Sequence, residues 1–225
     1  VPVLAYILTA LAAYLLGSIP TGFLVAKAKG IDIRSVGSGN IGATNAMRVL
    51  GKPAGIFVLL MDAGKGYCAC WMGIFICANF SPETVIHSFA DLSVMLGQWE
   101  NCAIIAGIFA VLGHNYTCWL KFKGGKGIAT TAGVYLALAP WTLLIALVVF
   151  ILAVALTKYM SIGSIAGAIA LPAAVWTMTP HNLFLGIVTT ALGVMAIYKH
   201  KSNLQRLMAG TENRLGQKKS SEAAK

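Results

Sequence analysis

Gly124-Gly125-Lys126-Gly127, flanked by Lys121 and Lys123, interrupts two strongly apolar stretches of the chain. Glycines let backbone N–H groups turn toward one point, and lysine adds mobile positive charge, a combination suited to phosphate oxygens. A second polar break, Gly37-Ser38-Gly39-Asn40-Ile41-Gly42-Ala43-Thr44-Asn45, offers similar backbone. Its glycines form a turn, Asn40 is placed to cap a short following helix, and Thr44 and Arg48 would share one face of that helix. The helix N-terminus would present N–H groups and the positive end of its dipole to an anion. Neither segment is specific alone. The first lacks the G-x-x-x-x-G-K-[ST] spacing of a nucleotide-binding loop. A glycine turn beside lysines is also an ordinary connector at a membrane edge.

Other polar residues fall near the same breaks. Asp62 and Lys65 lie inside an apolar run, three residues apart, and read as a structural ion pair. His114 ends another apolar run. His200 and Asn203 sit about one helical turn apart beside Lys199, Lys201 and Arg206, a third cationic group. Three such groups at one membrane depth argue for a site more strongly than any one does. His87 and His181 read as incidental. Cys68, Cys70, Cys77, Cys102 and Cys118 form no metal-ligand pattern and read as small apolar packing residues.

The elements that must position these groups are membrane helices. The chain has 225 residues, 58% hydrophobic and 11% charged, with mean hydropathy +0.78. A soluble domain carries about twice that charged fraction, and the alternating segments of a transmembrane β-barrel are absent. The reading is an all-α, polytopic integral membrane bundle with seven transmembrane helices near 3–26, 54–79, 101–119, 128–139, 141–157, 161–178 and 182–198. The first apolar run has no basic start and no cleavage signal, so it reads as a retained span with the N-terminus outside.

Sixteen of the 17 basic residues, all but Lys65, fall near helix ends on one side, which the positive-inside rule makes cytoplasmic. Keeping Lys158 and the basic tail on that side requires a split at Pro140 rather than one long helix over 128–156. The fourth span is then about 12 residues, or about 18 Å of helix, short of a ~30 Å hydrocarbon core. The glycine loop before it would therefore sit below the membrane surface in a protein-lined cavity. The outside connection 80–100 is mixed in polarity and suits an interfacial helix. Residues 1–212 read as one membrane-embedded domain and 213–225 as a polar, flexible cytoplasmic tail.

Together these residues resemble one family. Its N-terminal half is matched by Gly17-Ser18-Ile19-Pro20, the run from Gly37 to Asn45 with Arg48, and Asp62 to Gly66. Its centre is matched by Gly113-His114-Asn115, Phe122 to Gly127 and Ala129-Thr130. Ser161-Ile162-Gly163-Ser164, His200, Asn203 and Arg206-Leu207 complete the pattern, in order and at compatible spacing over residues 17 to 212. The chain is thereby similar to the bacterial acyl-phosphate:glycerol-3-phosphate acyltransferases, the PlsY type. Lys199 and Lys201 stand where the family often has arginines, and 80–100 is longer than usual.

The resemblance implies transfer of an acyl group from acyl phosphate to the 1-hydroxyl of glycerol 3-phosphate. The products are lysophosphatidic acid and inorganic phosphate, in the first acylation step of bacterial phospholipid synthesis. It implies no cofactor and no metal, a site facing the cytoplasm at the bacterial inner membrane, and a monomer that meets its two substrates and membrane lipids but no nucleic acid. The implied catalytic residues are Ser38, Arg48, Lys126, His200 and Asn203. The implied substrate-binding residues are Gly39, Asn40, Gly42, Ala43, Thr44, Asn45, Gly124, Gly125, Gly127 and Ser164. In that reading the Ser38–Arg48 loop holds the donor phosphate, while Lys126 and the glycine-loop amides receive glycerol 3-phosphate. Ser38 is a hydrogen-bond donor rather than a nucleophile, and the base is His200 or a substrate phosphate oxygen. The alternative from another class is a transporter of a phosphorylated anion, against which stand the lack of an inverted repeat and the one-sided polar loops.

Overall fold

The apolar runs fold as helices, and the chain breaks them mostly at proline, glycine or polar residues. The computed structural model describes residues 1–80 and 89–216. Among these residues all regular structure is helical: α1 (Val3–Ser18), α2 (Thr21–Lys27), α3 (Ala43–Leu50), α4 (Lys52–Phe80), α5 (Phe89–Asn115), α6 (Ile128–Leu138), α7 (Pro140–Thr157), α8 (Met160–Met178), α9 (Leu183–Lys199) and α10 (Lys201–Met208), with a 3-10 turn at Cys118–Leu120.

Each of the seven expected runs is helical, with different limits. Four segments are long and apolar enough to cross a bilayer, over 3–27, 93–120, 140–157 and 160–178, and a fifth if α9 and α10, bent by 49°, count as one. Helix α4 has 29 residues but carries Asp62 and Lys65 within it. Helix α6, with 11 residues, is as short as the split at Pro140 requires. Pro140 opens α7, where its missing N–H costs nothing and its fixed φ suits the first turn. Helix α7 leaves Leu144, Ile145, Val148, Ile151, Leu152 and Leu156 exposed, a face suited to lipid rather than water.

The first apolar run is two helices rather than one. Pro20 cannot continue the hydrogen-bond ladder, and α1 ends at Ser18. The carbonyl of Ile19 instead accepts from the Thr21 N–H at 3.0 Å and from Lys65 Nζ at 3.1 Å. An unpaired carbonyl at membrane depth would cost several kcal/mol, on the order of the penalty for any buried polar group left alone. The interfacial helix expected within 80–100 is also revised. From Phe89 the chain is already α5, which continues without a break to Asn115. Residues 81–88 lie outside the described residues.

One further expectation changes. Cys77 on α4 and Cys102 on α5 are joined by a disulfide, so they are not merely packing residues. Cys70 does pack in the core. Past residue 212 the Leu215 N–H donates to the Lys158 carbonyl at 2.8 Å, and residues 217–225 of the expected tail lie outside the described residues.

Helix α1 packs on α4 and α5, α4 on α5 and α6, α7 on α8, and α8 on α9. The α4–α6 contact brings backbone against backbone. A Cβ on Gly66 would collide with the Thr130 carbonyl, and one on Gly133 with the Ala63 carbonyl. Small residues permit this approach between membrane helices. Gly64, also on α4, has open space where a Cβ would stand. Gly133→Ala is therefore expected to destabilise the folded protein by about 1–3 kcal/mol through overpacking, while Gly64→Ala leaves it unchanged or slightly more stable. Thermal unfolding in detergent measures both, and equal midpoints would refute the close-contact account.

Candidate active site

The turn before α3 is shaped by one side chain. Asn45, 1% exposed, accepts from the Ser38 N–H at 2.8 Å. Its Nδ2 reaches the carbonyls of Ile33, Val36 and Asn40 at 3.2, 3.1 and 2.9 Å. Gly37 and Gly39 have φ of 63° and 70°, a left-handed region glycine enters without strain. The residue at the helix cap is Gly42, not Asn40. Asn40 holds that cap from outside, its Oδ1 accepting from the Gly42 N–H at 2.8 Å. Ser38 is thereby presented between two constrained glycines, and Thr44 and Arg48 follow one turn apart on α3.

The glycine–lysine loop lies against the end of α5. The Gly124 N–H donates to the Asn115 carbonyl at 3.2 Å and the Gly125 N–H to the His114 carbonyl at 3.0 Å. These two amides are spent within the protein, which corrects the expectation that they receive a phosphate. Their lack of side chains serves approach instead: a Cβ on Gly125 would strike the His114 imidazole, and one on Gly124 the His114 carbonyl. Donors remain further along, where the first turn of α6 has no intrahelical acceptors for its N–H groups.

Lys126 leaves this loop and donates to Asn203 Oδ1 on α10. Asn203 Nδ2 donates to Glu212 Oε1 at 2.8 Å, and Arg206 Nε donates to Glu212 Oε2 at 2.7 Å. Ser161 Oγ on α8 donates to the same carboxylate at 3.3 Å. Burial, followed by the repulsion of Arg206, pulls the Lys126 ammonium down to about 8. His200 lies between α9 and α10, with Nδ1 2.8 Å from the Ala196 carbonyl. A carbonyl only accepts, so Nδ1 carries the proton and Nε2 a lone pair. Burial, then the nearby Lys126 charge, lowers this imidazole to about 4, so it is neutral at pH 7.

A cavity of about 320 Å³ joins these pieces. Of the residues expected at a site, Ser38, Asn40, Gly42, Ala43, Thr44, Asn45, Arg48, Lys126, Gly127, Ser164, His200 and Asn203 line it. Gly39, Gly124 and Gly125 do not. Among the described residues the Arg48 guanidinium has no ion pair or hydrogen bond. Desolvation is the largest influence on it and lowers its pKa, with Glu212 acting the other way. An exposed guanidinium fork and a partly buried ammonium on one cavity offer two cations to an oxyanion. The cavity shares Ile128, Ala132, Leu147, Phe150 and Ser164 with a second, apolar space of about 70 Å³ between α6, α7, α8 and α9. The lining also includes Asp62, Ser161, Glu212 and Asn213, which sequence reasoning did not assign to the site. Glu212 left the weakest signal, a single acid after a glycine in a polar tail. Among the described residues no group of His, Cys, Asp and Glu side chains is placed to hold a metal ion.

Residues 7–210 match the glycerol-3-phosphate acyltransferase family. A glycerol-3-phosphate acyltransferase of Geobacter sulfurreducens is 45% identical over 208 residues, covering 92% of this chain and 96% of the relative. One from Thermosynechococcus vestitus is 44% identical over 211 residues, covering 93% and 94%. Among solved structures, the glycerol 3-phosphate form of PlsY (YgiH), an integral membrane glycerol 3-phosphate acyltransferase, superposes with a TM-score of 0.78 at 34% identity, over 94% of this chain and 96% of that one. Its lysophosphatidic acid form gives 0.74 at 34% identity, over 94% and 95%.

The Lys126 shift has a signed consequence. A group lowered to about 8 is charged below that pH and neutral above it. Sulfate, whose charge is constant over this range, should bind the purified protein less tightly as pH climbs through about 8. The loss should approach tenfold, ~1.4 kcal/mol. A bound anion favours the ammonium and moves the midpoint upward. Lys126→Met should bind sulfate more weakly and without this pH step. A wild-type affinity that is flat across the interval would place Lys126 outside the anion site.

Proposed function

The chain belongs to the glycerol-3-phosphate acyltransferase family of the PlsY type, and from that membership we propose that acyl phosphate is its donor and lysophosphatidic acid its product. One observation carries the proposal: Arg48, unpaired among the described residues, and partly buried Lys126 share a cavity that adjoins an apolar slot lined by Leu143, Ala146, Leu171 and Leu192. Phosphate groups suit the cationic end and an acyl chain the apolar one. The cytoplasm is the proposed location of the cationic end, because the basic residues gather there.

The hydroxyl oxygen of glycerol 3-phosphate attacks the acyl carbon and the bond from that carbon to the phosphate oxygen breaks. Ser38 Oγ–H and the cations offset the negative charge that develops. The attacking hydroxyl must lose a proton. In this reading His200, on the cavity wall with Nε2 unprotonated, accepts a hydrogen bond from it. With a pKa of about 4 it is too weak a base to keep the proton at neutral pH. The departing phosphate, whose freed oxygen becomes strongly basic as its bond to the acyl carbon breaks, is the better destination. His200 thus aligns the hydroxyl and the leaving group takes its proton.

Sealed inverted membrane vesicles containing the protein test donor and orientation together. Impermeant glycerol 3-phosphate supplied outside should be acylated when acyl phosphate is given, releasing one phosphate per acyl group. Turnover with acyl coenzyme A in its place, or activity only after the vesicles are opened, would contradict the proposal.

Direct transfer also makes Ser38 a donor and not a covalent intermediate. Ser38→Ala should lower kcat by about 10²–10³, typical of one lost oxyanion donor. Wild-type protein quenched after mixing with labelled acyl phosphate alone should carry no acyl group. A stoichiometric adduct on Ser38, formed and discharged at the turnover rate, would establish a two-step route instead.

A further inference from the structure

Asp62, Lys65 and His114 form a charged cluster inside the bundle that the transfer described above does not use. The Lys65 ammonium lies 2.9 Å from Asp62 Oδ1, 3.1 Å from the Ile19 carbonyl and 2.9 Å from His114 Nδ1. Asp62 Oδ1 faces it as a counter-ion without a well-directed hydrogen bond. An ammonium has three N–H donors and no acceptor. His114 Nδ1 therefore accepts, and the neutral imidazole carries its proton on Nε2.

Nε2 is the ring nitrogen that Lys65 does not engage. It abuts Gly125 where a Cβ would stand, and among the described residues it has no hydrogen-bond partner. His114 itself lines the cavity, although its side chain is 5% exposed.

We infer that His114 Nε2–H is a fixed donor to a phosphate oxygen bound in the cavity, with Lys65 as the positioning residue that holds the imidazole in this tautomer and Asp62 as the counter-ion that keeps Lys65 charged. This deepens the acyltransferase reading and rests on it, since it requires that the cavity receive substrate phosphate. His200 is locked in the opposite sense, with Nδ1 protonated and Nε2 an acceptor. The two histidines would thus treat oxygens of different protonation: His114 a phosphate oxygen, His200 a hydroxyl.

The test reads the tautomer and its consequence. In protein labelled with ¹⁵N-histidine, the His114 resonances, identified by their absence in His114→Gln, should show Nδ1 unprotonated and Nε2 protonated. Glycerol 3-phosphate and a non-hydrolysable acyl phosphonate, added separately, assign the phosphate: one of them should shift Nε2–H. Binding is followed in parallel by ³¹P line width. Binding without a shift from either ligand, or a proton found on Nδ1, overturns the inference and leaves the acyltransferase reading intact. No binding of either ligand would remove that reading, and this one with it.

Kinetics supply a second measurement. A glutamine amide can place a donor where Nε2–H stands, so His114→Gln should keep KM for the assigned substrate within about threefold. His114→Phe should raise it at least tenfold with an unchanged unfolding midpoint. The charge-neutral pair Asp62→Asn/Lys65→Met should raise KM in the wild-type background but not in His114→Gln, which has no tautomer to hold. Equal KM values for the Gln and Phe variants would also overturn the assignment.

Discussion

Lys126 is a cation partly withdrawn from water, and much of the site follows from what that requires. Even a partly buried ammonium is costly unless it is paired or hydrogen-bonded. Its partner here is an amide oxygen, Asn203 Oδ1, rather than a carboxylate. The acid, Glu212, stands one step further away and is engaged by Asn203, Arg206 and Ser161. A carboxylate directly on Lys126 would neutralise the charge that an anion needs. With the amide between them, the cation is oriented and its charge stays available to the cavity. The same chain ties α10 and the 211–216 segment to the start of α8, so the closure of the bundle at this end depends on the polar network of the site.

The position of Lys126 depends in turn on a helix too short to span a bilayer. Helix α6 starts within the protein because α4 allows it to approach backbone to backbone at Gly66 and Gly133. The loop before it then rests on the end of α5, with its first two amides satisfied by His114 and Asn115. Irregular backbone is tolerated at membrane depth only where protein or water satisfies it. In this loop the glycines thus secure close packing as well as backbone satisfaction, and the anion-facing donors are displaced to Lys126 and the first turn of α6. Asn45 does for the other loop what α5 does for this one.

The legible part of this architecture was the part with local signatures. Apolar runs, the proline at 140 and the one-sided lysines indicated the helices, and glycine runs with cations indicated both loops. Arg48, Lys126, His200 and Asn203 were therefore found together. What was not legible depends on contacts between distant segments. Cys77 and Cys102 are 25 residues apart in sequence, on different helices, and nothing local marks them as a pair. The break at Pro20 was masked by continuous apolarity, and the extra turns at the start of α5 by mixed polarity. Glu212 gave almost no local signal, because its importance arises from three partners brought together only by the fold. For Gly124 and Gly125 the residue type was informative but the reason was not: whether a glycine frees an N–H or admits a neighbour depends on what lies opposite.

The two cavity histidines show why residue type alone leaves chemistry open. Each is an imidazole at the end of a helix, and composition treats them alike. His200 is held by a carbonyl, which only accepts, so its outer nitrogen must accept. His114 is held by an ammonium, which only donates, so its outer nitrogen must donate. The choice is made by the partner at Nδ1, and each partner is supplied by the backbone or by a helix far away in sequence. For His114 that partner, Lys65, is held by the carbonyl at the Pro20 break and by Asp62. A helix break that would otherwise be a defect in an apolar medium thus helps set the hydrogen-bonding character of a side chain on the cavity wall.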